Sequence, residues 1–117
     1  MEANRSAPYA VTAVAFAEAL VDGRFELAHS MLSSGFRAVV GPERIRDNYV
    51  EMVEYGDGPP TSVQLISTME QWPDKQPNDL GWAYVAIGGD GFSEAVTLIL
   101  QQEGETPVIR HLEWGRP

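Results

Sequence analysis

The spacing of apolar residues changes period once along this chain, at Gly56-Asp57-Gly58-Pro59-Pro60, and that change limits the fold to helices packed against a sheet. Before it, Ala13, Phe16, Ala17, Leu20 and Val21 recur at helical spacing. Ser6 is placed to cap this helix and Pro8 to sit in its first turn, which predicts a helix over 8–21. Asp22-Gly23 breaks it, and Phe25, Ala28, Met31 and Leu32 form a shorter helical stripe ending before Gly35. Phe36-Arg37-Ala38-Val39-Val40 has strand composition, and Pro42 reopens a helix carrying Ile45, Tyr49, Met52 and Val53, expected over 42–55.

After the break, four strands are expected over 61–72, 80–87, 91–102 and 107–114, joined by turn-forming residues. Alternation places Val63, Leu65 and Met69 on one face of the first strand, and Phe92, Val96, Leu98 and Leu100 on one face of the third. The class is therefore α+β: three N-terminal helices on a curved antiparallel sheet, in the order helix-helix-strand-helix-four strands. At 117 residues the chain reads as a single domain, 1–117, able to bury a core without staples. With no cysteine, it has neither disulfides nor thiolate chemistry.

The first twenty residues lack the unbroken apolar run of a secretory signal, and no segment approaches the roughly 20 apolar residues of a bilayer span, so a cytoplasmic protein with no membrane partner is expected. The formal net charge is −9, and it is unevenly placed. Between positions 47 and 109 eleven acidic residues face one base, Lys75. Such a chain cannot neutralise phosphates over a continuous face, which argues against nucleic acid. A basic protein is the favoured partner, because a single-sign surface steers the opposite sign.

The element order, with the run FAEALVDGRFELAHSMLSSGFRAVVGPERIRDNYVEMV at its front, resembles the nuclear-transport-factor-two-like superfamily, an α+β cone also used by ketosteroid isomerases. The resemblance covers nearly the whole chain and rests on architecture. It implies a pocket between helices and concave sheet, and membership among enzymes, ligand binders, protein-binding scaffolds or toxin-neutralising immunity proteins. It also implies a homodimer through the sheet as one arrangement.

An isomerase-like site needs a carboxylate base and an oxyanion donor inside an apolar cone. Tyr9, Tyr49, Tyr55 and Tyr84 are the available donors, and Glu18, Asp47 and Glu94 the available bases. Glu94 is in phase with Phe92 and Val96, at the apolar face or its rim. The ligand-pocket candidates are Phe16, Tyr49, Met52, Trp82, Tyr84 and Glu94, with no catalytic set assembled. His29 and His111 have no metal-ligand spacing, so neither metal nor cofactor is expected. His111 and Glu113, two apart on a strand, are expected to form a surface ion pair.

Trp72, Trp82 and Trp114 are confined to the strand half, and acids follow Trp72 closely. Aromatic anchors ringed by carboxylates fit a protein interface, with Glu70, Trp72, Asp74, Asp79, Asp90 and Trp114 as its candidates. The leading expectation is a non-catalytic domain that binds a basic protein such as a toxin domain. The alternatives are a small-molecule binder or enzyme using the cone, and a structural homodimer.

Overall fold

Pro8 opens the first helix, α1 (Pro8–Val21), because the donor it lacks has no partner in a first turn anyway. In this computed structural model, residues 5–54, 60–89 and 92–115 are described. Ala7, in extended geometry, stands at the cap position with no side-chain bond, so Ser6 does not cap the helix. At the other end Gly23 turns left-handed (φ 74°), its N–H donates to Leu20 O and that of Arg24 to Ala19 O. This double closure satisfies the last carbonyls and needs a residue without Cβ at the turn.

Three more helices follow: α2 (Phe25–Ser30), α3 (Ser34–Val39) and α4 (Pro42–Val53). The expected strand at 36–40 is α3 instead, making four helices rather than three. Strand propensity describes side chains fitted to a half-buried pleat, whereas Val39 is 81% exposed and has no pleat to fit. Local bonds decide for the helix: Ser33 Oγ accepts the Phe36 N–H, and Glu103 accepts both the N–H and the hydroxyl of Ser34. Strand-like pairing occurs just upstream, where Leu32 forms a parallel bridge with Ile109.

The sheet is an antiparallel meander in the order β1 (Ser62–Met69), β2 (Asp79–Gly89), β3 (Phe92–Glu103) and β4 (Thr106–Trp114). Alternation along β2 decides its two faces: Gly81, Ala83, Val85 and Ile87 are buried, whereas Trp82, Tyr84 and Ala86 are half-buried. Ala83, Val85 and Ile87 share the core with Phe16, Leu20, Ile45 and Leu98, so the helices lie on that face. Val96, Leu98 and Leu100 are buried on it as expected; Phe92 begins β3, but its side chain lies outside the described part.

A bulge at Ile66 corrects the reading of β1. Leu65 pairs with Val85, yet Ser67 pairs with Tyr84 and Met69 with Trp82. The extra residue shifts the phase, so Val63 and Leu65 face the helices while Met69 stands on the opposite face. Tyr9 fixes α1 to the sheet by laying its ring on Gly81, where a Cβ would collide with the ring. Its hydroxyl then donates to Glu70 beyond the end of β1. The class is α+β, helices first and sheet second.

Candidate functional site

The segment between β1 and β2 carries the densest group of proposed interface residues, and another of them, at the first position of β2, holds it in shape. Asp79, buried with its carboxylate wholly shielded, accepts two 2.6 Å bonds from Arg110 and a 2.8 Å bond from the Gln76 N–H. Burial pushes the carboxyl up, but the guanidinium bonds and the Gln76 amide outweigh it and hold the group below the usual carboxylate range. The same pairing raises Arg110. Arg110 occupies the β4 side of the register shift at Ile99/Leu100, opposite β3. No sequence signal marks this partnership, because Arg110 is distant in the chain and sits at an irregularity.

The Asp79 charge is therefore neutralised internally, and the residue is not an exposed acidic anchor. Glu70, another candidate, is engaged by the Tyr9 hydroxyl, and burial chiefly raises the Tyr9 phenol, with the carboxylate adding to it. Trp72 is half-buried, its indole N–H buried without a hydrogen-bond partner among the described residues, and the Lys75 ammonium lies 5.9 Å from its ring centre. Asp74 is exposed beside them. Asp90 lies outside the described residues. Trp114 pairs with Val96 on the helix-bearing face and packs against the core. The five described residues do not form one surface.

The pocket candidates divide as sharply. Phe16, Tyr49 and Met52 are buried in the core cluster. Tyr49 packs at a tilt on Phe25, with ring centres 5.9 Å apart, and its hydroxyl is buried without a hydrogen-bond partner among the described residues. Burial pushes this phenol up to about 12. Glu94 pairs with Ile87 on the helix-bearing face and is half-buried, at the rim that its phase implies. Of the other bases, Glu18 lines an open cleft with Asp22, Thr61 and Ser62, and Asp47 is on the exposed side of α4, 3.1 Å from Arg46. Tyr55 lies outside the described residues.

Trp82 and Tyr84, both pocket candidates, point away from the helices altogether. Two residues apart on β2, they share the face opposite the helices and stack with ring centres 6.2 Å apart and planes only 7° from parallel. Pairing across the sheet places Met69 and Ile99 beside Trp82, and Ser67 and Thr97 beside Tyr84. His111 is paired with Ile99 and Glu113 with Thr97, and the imidazole Nε2 and the carboxylate approach to 3.5 Å, the contact expected of that spacing. The alternation of Trp82 and Tyr84 with Gly81, Ala83 and Val85 carried this placement in the sequence. Met69 did not, because of the bulge. Comparison with protein-family models and with curated proteins gives no match to this chain.

Proposed function

We propose that this chain is a non-catalytic binding domain whose strand half recognises a basic protein through the sheet face opposite the helices. The observation that carries the reading is the Trp82–Tyr84 stack, held by the sheet on the face that the helices leave open. Two large rings in fixed register supply apolar contact area at little cost in side-chain entropy. The net charge of −9 selects among partners: it opposes a second copy and favours a chain of opposite sign.

The resemblance to the nuclear-transport-factor-two-like superfamily narrows the partner to a basic toxin domain, with this chain as its immunity protein. A nuclease-type toxin carries cations for its own substrate, so an acidic inhibitor gains in both rate and selectivity. The residues that an isomerase-like site would bring together are dispersed: Tyr49 in the core, Tyr84 on the open face, Glu18 and Asp47 on the outer helical surface.

Capture from the source lysate, at low and then moderate salt, tests the reading. Retention of a stoichiometric basic protein that salt releases, and that the Trp82→Ala/Tyr84→Ala variant fails to hold, is expected. Equal retention by that variant contradicts it. One observation favours a second reading, a ligand held between helices and sheet: the buried Tyr49 hydroxyl has no partner among the described residues, and a bound molecule supplying an acceptor would satisfy it.

A further inference from the structure

The stacked pair has a geometry that selects among cations as well as attracting them. Trp82 and Tyr84 present two nearly parallel ring planes, both half-buried, and each electron-rich ring face draws positive charge. The adjoining positions are apolar or small: Met69, Ile99, Ser67 and Thr97. Arg110 is committed to Asp79, and His111 to the Glu113 carboxylate. The strand half also pairs an indole with a cation internally, Lys75 over Trp72.

We infer that the Trp82–Tyr84 stack is a seat for an arginine side chain of the basic partner, the guanidinium extending the stack as a third plane. This inference rests on the binding role proposed above. Arginine is favoured over lysine on geometry. A guanidinium is planar and weakly hydrated, so it stacks on an aromatic face without losing its in-plane hydrogen bonds, whereas an ammonium is a compact, strongly hydrated point charge. A second copy of this chain is the poorer occupant, since it brings the same excess of negative charge.

Titration of the whole protein with short oligo-arginine and oligo-lysine peptides of equal length tests this. Oligo-arginine is expected to bind about fivefold more tightly at equal charge, the size of one stacked cation. Trp82→Leu removes the preference and leaves the salt dependence of oligo-lysine binding unchanged. In the unsubstituted protein, the Trp82 indole N–H resonance is expected to shift on adding oligo-arginine while those of Trp72 and Trp114 stay in place; this readout does not depend on how a variant folds. Salt-dependent binding of both peptides with equal affinity and no Trp82 shift overturns the arginine seat but leaves the acidic binding role standing. Failure of both peptides to bind overturns the two together.

Discussion

Asp79 and Arg110 join the start of β2 to the middle of β4 through two 2.6 Å bonds, and the same carboxylate organises the turn before it by accepting the Gln76 N–H. One pair thus ties the segment after β1 to two strands. Removing the Asp79 charge leaves the partly exposed Arg110 guanidinium without its two charged hydrogen bonds, which costs about 1.5–3 kcal/mol. Asp79→Asn is expected to lower the denaturant midpoint accordingly. Asp79→Leu combined with Arg110→Met recovers most of the loss, because no charge is then stranded. Equal losses in the single and double variants would contradict this account.

The pair also fixes an acid limb of stability. Because the folded Asp79 carboxyl is held below its usual value, its contribution is complete above the unfolded value of roughly 3.9 and is lost as pH falls through the lower folded value. Unfolding of the native protein between about pH 5 and pH 2 is expected to show this loss. In Asp79→Asn the slope is shallower over the same range, and an identical slope would speak against the assignment.

Tyr9 lies on Gly81 so closely that no side chain fits between them. Gly81→Ala is expected to cost about 1–3 kcal/mol by displacing the ring and with it the bond to Glu70. Tyr9→Leu vacates that space, so thermal unfolding of the double variant should show a smaller loss than the two single losses added together. Strict additivity would show that the two positions are independent.

How far this architecture was legible depended on whether local pattern or distant packing decided each element. The bounds of α1 follow from Pro8 and Asp22-Gly23, which act within a single turn, and they were readable. Helix α3 was not, since Ser33 and Glu103 fix it from outside the Phe36–Val40 run that reads as a strand. The rim position of Glu94 followed from alternation alone, whereas the Ile66 bulge defeated alternation at Met69. Trp82 and Tyr84, read from the sequence as pocket residues, stand on the face opposite the helices. The engagement of two interface candidates was not legible either: Asp79 and Glu70 are held by Arg110 and Tyr9, partners distant in sequence.

Tyr49 separates the two functional readings by stability alone. Its buried hydroxyl has no hydrogen-bond partner among the described residues and carries a desolvation cost, so Tyr49→Phe is expected to leave the melting temperature unchanged or to raise it by the equivalent of up to about 1 kcal/mol. A clear drop would show that the hydroxyl already has an acceptor in the folded protein, and would remove the ground for a ligand that supplies one.

The binding face is tested most directly by comparing the native protein with the Trp82→Ala/Tyr84→Ala variant for capture of a basic partner across a salt series, with folding of both confirmed by circular dichroism. The account predicts that the native protein holds a basic protein at low salt and releases it as salt rises, and that the folded variant holds little at any salt. Equal capture by the variant, or a captured partner that is acidic and indifferent to salt, would contradict it.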